Sequence, residues 1–234
     1  MGQIEVCLPA SELAEILKLP AHSISSIRLS KIIKEFSNGF SFLKTYGKTA
    51  TFFGSSRFKE NNPHYQEARK LGELLSKDGF AVVTGGGPGI MEAANRGAYE
   101  AGGRSGGLNI QLPDGQRANK FVTEAESFHY FFVRKVMLSF ASEVYIFFPG
   151  GFGTLDEFFE IITLVQTKKI ESIPVVLVGK DYWEPLLKWI QEELYQKYAA
   201  IDEKHMDLYH LAEDAKSAFE YIHESVKEDR KQSD

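Results

Sequence analysis

The sequence predicts an α/β fold with a doubly wound parallel sheet and helices on both faces. Short apolar segments rich in β-branched and aromatic residues alternate with segments of helical periodicity along most of the 234 residues. Such alternation is typical of parallel sheets, whose strands are buried on both sides. Turns of Gly or Ser follow three of the predicted strands, at 54–56, 85–89 and 150–153. Because ligands bind at the carboxyl ends of parallel strands, we expect these turns to converge on one crevice.

The chain divides into an N-terminal arm, one folded domain and a short tail. In the arm we expect either irregular structure or a short helix near residues 10–18. An amphipathic helix follows, whose apolar residues run from Ile27 to Leu43 and which breaks near Gly39. The remaining length suits one α/β domain. The predicted divisions are a helical arm, the α/β domain and a charged flexible tail, at 1–44, 45–227 and 228–234.

The individual elements follow from apolar periodicity and from the residues that flank each segment. Pro63 is favourable in the first turn of a helix, and Asp78-Gly79 is a suitable helix end. The predicted strands are 49–53, 80–84, 105–110, 121–122, 144–148 and 175–178. The predicted helices are 65–77 with Pro63 at the start, 90–101, 128–141, an apolar helix opened by Thr154, 182–197 and 211–227.

Composition excludes several classes of function. The net charge of -5 offers no basic stripe for a nucleic-acid backbone, although a small phosphorylated ligand is compatible with it. Cys7 is the only cysteine, and the six histidines are scattered, so neither a disulfide framework nor a metal site is predicted. No signal-like segment or apolar run of membrane-spanning length is evident. We therefore expect a cytoplasmic protein with neither nucleic acid nor membrane as a partner.

The stretch from Val144 to Glu157 has the layout of a phosphate-binding turn. A buried strand ends at Pro149, and Gly150, Gly151 and Gly153 then permit a tight turn whose backbone amides can approach a ligand. Thr154 opens a helix, whose free N–H groups and dipole favour an anion. Asp156 and Glu157 follow at once. Carboxylates at this place would repel a phosphate unless they point elsewhere or take part in the chemistry.

Three familiar glycine motifs do not fit. From Gly85 or Gly87, the third glycine of a dinucleotide fingerprint is missing, and Asn109 stands where a ribose-binding carboxylate is expected, so NAD is not predicted. No turn carries the Gly-Lys-Ser/Thr of a P-loop. The segment 103–107 matches G-x-S-x-G but leads from a helix into a strand, which is the reverse of a nucleophile elbow.

Thr154 and Glu157 also have a purely structural interpretation. Thr-x-x-Glu is a capping box, in which the two residues satisfy free amides at a helix start, and Asp156 would then complement the helix dipole. The local sequence favours neither interpretation. The position behind a glycine turn, at the carboxyl end of a central strand, favours a functional role.

Arg134 and Lys135 interrupt an otherwise apolar helix. We expect Lys135 to reach solvent, whereas Arg134 suits a polar cleft because a guanidinium can bind a phosphate or carboxylate with two hydrogen bonds. This helix, 128–141, and the helix after Thr154 are apolar on more than one face, and a helix packed only on its own sheet needs one apolar stripe. The additional apolar faces predict a homodimer. The alternative is that loops or the N-terminal helix cover these faces.

The motifs taken together resemble the Lonely Guy (LOG) family. Residues 149–157 match its P-G-G-x-G-T-x-x-E signature, Arg134-Lys135 lies upstream at the family spacing, and the likeness continues through 54–56, 85–95 and 166–168. The resemblance implies a Rossmann-like fold and a dimer with its site near the interface. Many members carry the label possible lysine decarboxylase, but this sequence shows no pyridoxal-type lysine site.

The resemblance implies a phosphoribohydrolase that cleaves AMP-type or cytokinin nucleotides to a free base and ribose 5-phosphate, with no cofactor. Arg134 and Glu157 match the catalytic pair. The expected substrate-binding residues are Ser55, Gly86, Gly87, Gly89, Lys135, Gly150, Gly151, Phe152, Gly153, Thr154, Leu155, Asp156 and Thr163. Gly115 departs from the family, whose close relatives usually carry an acidic residue there. The rival is a non-catalytic nucleotide or molybdenum-cofactor carrier of the same fold, which needs no poised Glu157.

Overall fold

A seven-stranded parallel sheet forms the centre of the computed structural model, which describes Glu15 and residues 24–111 and 118–233, with side chains up to residue 226. The strands lie in the order β4-β3-β2-β1-β5-β6-β7, and every neighbouring pair is parallel. Their bounds are β1 Thr49–Phe53, β2 Ala81–Thr84, β3 Ser105–Ile110, β4 Glu124–Phe128, β5 Val144–Phe147, β6 Val175–Val178 and β7 His210–Ala212. Apart from Glu15, the helix expected near residues 10–18 lies outside the described residues, as does the loop that carries Asp114 and Gly115.

Helices cover the sheet on both faces, which confirms the predicted α/β class. One face packs against α2, α3 and α7 and the other against α4, α5 and α6, with α1 outside α4. The helix bounds are α1 Ile24–Leu43, α2 Pro63–Lys77, α3 Ile90–Glu100, α4 Phe131–Ser139, α5 Phe152–Gln166, α6 Lys180–Trp189 and α7 Ala215–Ser233. A π-helix, Ile190–Lys197, continues α6, and a 3₁₀ helix spans Glu203–Leu208.

The strand order creates a switch point between β1 and β5. From β1 the chain builds the sheet outward through β2 and β3 to β4, and it then returns to the other side of β1 and builds outward again through β5, β6 and β7. Connections that leave two adjacent strands in opposite directions open a crevice at the carboxyl ends of those strands. The turns after β1 and β5 therefore face each other across it.

Two predicted elements are wrong at the edges of the sheet. The fourth strand is Glu124–Phe128 and not 121–122, because an edge strand can alternate polar and apolar residues, and α4 consequently begins only at Phe131. The segment predicted as a helix from residue 211 begins with the edge strand His210–Ala212, and its helix starts at Ala215.

The N-terminal helix is continuous, so the predicted break near Gly39 is wrong as well. Gly39 lies where α1 packs on α4, and a Cβ there would come within 2.5 Å of the Met137 sulfur and 3.1 Å of the Phe128 ring. The glycine therefore permits close approach of two helices. The last helix, α7, extends to Ser233, into the segment that the sequence assigns to a charged tail.

A buried polar network fixes the glycine turn after β2. Asn95 on α3 has no exposed surface; its amide nitrogen donates to Ser105 Oγ at 2.8 Å, and its amide oxygen accepts from Thr84 Oγ1 at 2.6 Å and from Asn119 Nδ2 at 3.0 Å. Thr84 Oγ1 in turn accepts from the Gly86 amide at 2.9 Å. Side-chain groups that satisfy one another away from water hold the turn in one conformation.

Asn95→Ala should therefore lower the free energy of unfolding by about 3 kcal/mol, because it leaves several buried polar groups without partners. Urea denaturation at pH 7 measures the change. The control is Asn61→Ala at an exposed position, which should stay within about 0.5 kcal/mol of the wild type. An Asn95 variant as stable as the control would show that the network contributes nothing.

Candidate functional site

A cavity of about 710 Å³ opens at the switch point between β1 and β5. Its volume lies within the range of small-molecule sites, and its wall combines aromatic side chains with a few polar groups. The lining residues are Phe52, Phe53, Gly54, Ser55, Ser56, Arg57, Phe58, Gly85, Met91, Phe131, Arg134, Leu138, Pro149, Gly150, Gly151, Phe152, Gly153, Thr154, Asp156, Glu157 and Tyr182. The three predicted turns do converge here.

Backbone hydrogen bonds tie the turn after β1 to the turn after β5. The Ser55 amide donates to the Pro149 carbonyl at 3.0 Å, directly beyond the last strand contact, in which the Phe148 amide donates to the Phe53 carbonyl at 2.9 Å. From the opposite side the Tyr182 hydroxyl donates to the Gly150 carbonyl at 2.8 Å. The two turns thus form one rigid rim.

Helix α5 begins earlier than Thr154. Gly151 is the N-cap residue and has no side chain with which to cap, while the amides of Thr154 and Leu155 both donate to its carbonyl, at 3.0 and 3.1 Å. The capping-box interpretation of Thr154 and Glu157 is therefore wrong. Starting the helix at a glycine leaves the amides of Gly151, Phe152 and Gly153 without helix acceptors, as an anion site requires.

Glu157 lies in the second turn of α5 and is only 7 % exposed. Its Oε2 atom has no hydrogen-bond partner among the described residues. Burial raises the pKa of the Glu157 carboxyl to about 7; Lys135 and Arg134 oppose this rise, whereas Glu160 and Asp156 add to it. A carboxyl that titrates near neutral pH in a cavity can exchange protons with a reactant at that pH.

Arg134 projects from α4 into the same cavity. Its Nε donates to the Leu108 carbonyl at 2.7 Å, and its guanidinium lies over Gly85, where a Cβ would overlap a terminal nitrogen. Burial lowers the pKa of Arg134, and the Glu157 charge partly restores it. Gly85 thus makes room for a cation that the Leu108 carbonyl fixes in place.

Lys135, the next residue, is not the solvent-directed lysine that the sequence predicts. Its side chain is 18 % exposed, and its Nζ lies 2.6 Å from Asp156 Oδ2 and 2.7 Å from Glu160 Oε2. Burial alone would lower the pKa of Lys135, but the hydrogen bonds to the two carboxylates raise it. Both carboxylates belong to α5, so the ammonium group joins α4 to α5.

Some of the expected substrate-binding residues line the cavity and others do not. Those that line it are Ser55, Gly150, Gly151, Phe152, Gly153, Thr154 and Asp156, with the expected catalytic residues Arg134 and Glu157. Those outside it are Gly86, Gly87, Gly89, Lys135, Leu155 and Thr163. Thr163 lies exposed about three turns along α5, where its hydroxyl donates to the Phe159 carbonyl at 2.7 Å.

The glycine turn after β2 supports the cavity and contributes only Gly85 to its wall. At Gly86 a Cβ would overlap the Asn109 side chain, and at Gly89 it would overlap the Ser55 carbonyl, which accepts from the Ile90 amide at 3.0 Å. Both glycines have positive φ angles, 70° and 73°. Both glycines therefore permit close packing of this turn against the rim.

Sequence reasoning missed several lining residues, among them Arg57 and Tyr182. Arg57 follows the Gly-Ser turn directly, and its amide donates to Ser55 Oγ at 3.2 Å, so its place beside a strand end was a usable signal. It is exposed and makes no ion pair with any described residue. Tyr182 gave no local signal, because only the fold brings α6 back to the turn after β5.

The part of the chain that the structure describes contains neither a metal-binding cluster nor a membrane-spanning helix. No group of three or more His, Cys, Asp or Glu side chains there is arranged to hold a metal ion. None of the helices in the described ranges combines the length and the apolar character needed to cross a membrane.

Comparison with known families and sequences gives one consistent group. The model of a family described as possible lysine decarboxylase matches residues 91–222. A probable cytokinin riboside 5'-monophosphate phosphoribohydrolase of Oryza sativa subsp. japonica is 31% identical over 165 residues, which cover 66% of this chain and 63% of the rice protein. A cytokinin riboside 5'-monophosphate phosphoribohydrolase of Arabidopsis thaliana is 31% identical over 158 residues, 65% of this chain and 72% of the relative. A Rhodococcoides fascians enzyme of the same name is 27% identical over 150 residues, 62% and 74% of the two chains.

Solved structures share the fold at lower identity. The molybdenum cofactor carrier protein of Chlamydomonas reinhardtii aligns with a TM-score of 0.56 at 23% identity, covering 77% of this chain and 99% of that chain. The molybdenum cofactor binding protein of Rippkaea orientalis aligns with a TM-score of 0.55 at 21% identity, covering 77% and 98%. At these identities the likeness concerns the fold alone.

The buried carboxyl of Glu157 has a consequence for stability that depends on pH. Folding raises its pKa from 4.5 to about 7, so the stability linked to its proton is fully present below pH 4.5 and is lost as the pH rises through 7. Glu157→Gln resembles the protonated form at every pH. The free energy of unfolding of this variant should exceed that of the wild type by an amount that grows with pH. This difference should be near zero at the acid end and about 3 kcal/mol at pH 8.

Urea denaturation at pH 5 and pH 8 measures this advantage. The matched control is Glu220→Gln on α7, an exposed carboxylate, whose effect should stay within about 0.5 kcal/mol at both pH values. A Glu157→Gln effect that is the same at both pH values would contradict the raised pKa.

Proposed function

The chain belongs to the LOG family, the family described as possible lysine decarboxylase, and from this premise we propose that it is a nucleoside 5′-monophosphate phosphoribohydrolase. The proposed reaction is hydrolysis of the N-glycosidic bond of AMP-type or cytokinin nucleotides to a free base and ribose 5-phosphate. One observation carries the proposal: a buried Glu157 carboxyl, with one oxygen unpartnered among the described residues, lies beside Arg134 in a cavity whose rim is a helix N-terminus. The names of the relatives agree with it.

In this proposal the 5′-phosphate binds at the turn from Gly150 to Thr154, on the free amides of Gly151, Phe152 and Gly153. Free N–H groups and the dipole at the start of α5 favour an anion there without a metal ion. Arg57 stands on the other side of the rim, and its exposed guanidinium adds a positive charge at the cavity mouth. The cavity of about 710 Å³ leaves room for the ribose and the base beyond the phosphate.

Cleavage of the bond between C1′ and the base nitrogen develops positive charge on the ribose. An ionised Glu157 stabilises this oxocarbenium-like state and accepts a proton from the attacking water. The water oxygen forms the new bond to C1′, and the bonding electrons leave with the base, which takes up a proton. A pKa of about 7 keeps a substantial ionised fraction of Glu157 available near neutral pH.

Arg134 acts in this scheme by its charge and position. Its Nε is engaged by Leu108, which leaves the terminal guanidinium nitrogens for the substrate or for Glu157. Because a guanidinium stays protonated at any working pH, Arg134 is suited to fixing the substrate and stabilising charge rather than to donating a proton.

The residues of the cavity argue against the decarboxylase description. A pyridoxal-dependent decarboxylase needs a lysine that forms a Schiff base with its cofactor. The described residues that line the cavity include no lysine, and the nearby Lys135 is held by Asp156 and Glu160. Glycosidic hydrolysis uses the groups that are present, a carboxylate and a guanidinium.

Assembly as a homodimer, with the cavity near the interface, is part of this proposal. Exposed aromatic side chains surround the cavity mouth: Phe152 is 94 % exposed and Phe131 55 %, and both line the cavity. Phe132 and Phe140 continue this surface along α4 at 50 % and 56 % exposure, although α1 places Phe36 and Phe40 against them. Coverage by the N-terminal helix is therefore partial, and a second copy would bury the remaining apolar area.

Incubation with a panel of purine and pyrimidine monophosphates, including AMP and prenylated AMP, tests the activity. Chromatography should detect free base and ribose 5-phosphate from at least one of them.

Glu157→Gln should lower kcat by about 10²–10⁴-fold while nucleotide binding is retained, since it removes the catalytic carboxylate without removing the phosphate site. Glu220→Gln on α7 is the matched control and should keep full activity. Undiminished turnover by Glu157→Gln, or no product from any nucleotide, would contradict the proposal, and the latter would favour a carrier.

Light scattering at micromolar concentration tests the dimer. The expected mass is twice that of the 26.4 kDa chain. Phe140→Ser should shift the population towards monomer, whereas Tyr198→Ser, which alters an exposed aromatic residue after the π-helix, should not. A monomeric mass for the unaltered protein would contradict the assembly.

A further inference from the structure

We propose that Lys135 is a positioning residue that acts through Glu157: by binding Asp156 and Glu160 it keeps the Glu157 carboxylate free and directed into the cavity. The catalytic consequence of this role rests on the proposed function, but the role itself is a property of the protein without ligand. Nothing in the comparisons assigns it.

The arrangement on α5 separates three neighbouring carboxylates. Asp156 and Glu160 are four residues apart and so lie on one side of the helix, where both reach Lys135 Nζ, at 2.6 and 2.7 Å. Glu157 is about 100° round the helix from Asp156 and about 60° from Glu160. Asp156 and Glu157 both line the cavity, but Asp156 is paired with Lys135, whereas the Glu157 Oε2 atom has no hydrogen-bond partner among the described residues.

Lys135 cannot easily serve as a phosphate ligand in this arrangement. Its ammonium group donates a hydrogen bond to Asp156 and forms an ion pair with Glu160, and the residue is absent from the cavity wall. Arg134, the preceding residue on α4, does line the cavity. The two adjacent cations on α4 therefore have different positions. Arg134 faces the cavity, and Lys135 faces the acidic side of α5.

The charges around Glu157 show what the loss of Lys135 would do. The charged groups that act on Glu157 are Lys135 and Arg134 from α4 and Asp156 and Glu160 from α5 itself. The two cations favour its ionised form, and the two carboxylates oppose it. Without Lys135, three carboxylates within five residues would face one guanidinium. Glu157 would then hold its proton to higher pH, and less of it would be available as a base.

Titration of the Glu157 carboxyl in the intact protein without ligand tests this directly. Carbon NMR of protein labelled at the glutamate carboxyl carbon follows the group, and the signal lost in Glu157→Gln assigns it. The midpoint should lie near pH 7 in the wild type. Lys135→Met should raise it by about one unit, and Lys135→Arg should restore it, because an opposite charge at close range shifts a carboxyl by about that amount.

Two further variants keep the test decisive if Lys135→Met folds poorly. Glu160→Gln alone should lower the midpoint, and Lys135→Met combined with Glu160→Gln should bring it back towards the wild-type value. Lys216→Met is the matched control, since this exposed lysine pairs with Glu220 on α7. An unchanged midpoint in both Lys135→Met and Glu160→Gln would overturn the inference.

Kinetics then separate this role from substrate contact. Under the proposed function, Lys135→Met should move the acid limb of the kcat profile to higher pH while KM changes less than twofold. A large rise in KM with an unmoved acid limb would overturn the inference in favour of a nucleotide contact. If the carboxyl titrates as expected but no monophosphate is hydrolysed, the proposed function fails and the role of Lys135 stands.

Discussion

The burial of one partly unpaired carboxyl group is the constraint on which the site depends. A shift in the pKa of Glu157 from 4.5 to about 7 corresponds to a cost of about 3 kcal/mol when the group is ionised. That is a considerable part of the roughly 5–15 kcal/mol by which a typical domain is stable. Two cations on α4 reduce this cost without neutralising the group, because Lys135 pairs with other carboxylates and Arg134 is fixed by a backbone carbonyl. A buried group kept at such a cost is characteristic of functional sites.

The topology of the sheet creates the crevice in which Glu157 lies. Connections that leave β1 and β5 in opposite directions open the crevice, and the hydrogen bond from Ser55 to Pro149 fixes the distance between its two sides. The glycines of the rim are of two kinds. Gly151 exposes backbone amides at the start of α5, whereas Gly86 and Gly89 let the turn after β2 pack closely behind Ser55. Of these three glycines, Gly151 lines the cavity.

Much of this organisation could be predicted from the sequence, and the failures have local causes. Apolar runs specify strands such as Val144–Phe147, and glycine turns after strands specify where the crevice lies. The edge strand Glu124–Phe128 was missed because one of its faces is polar, which removes the apolar signal. The roles of Lys135 and Tyr182 could not be predicted, because each depends on a partner from another element, Asp156 in one case and Gly150 in the other.

A crystal structure of the Glu157→Gln variant with AMP would test most directly whether Glu157 acts on the glycosidic carbon. We expect the phosphate on the turn from Gly150 to Thr154 and the ribose C1′ within about 3.5 Å of the substituted side chain at position 157, or of a water bound to it. A nucleotide that binds with its ribose directed away from this side chain, beyond the reach of one water molecule, would contradict the central claim.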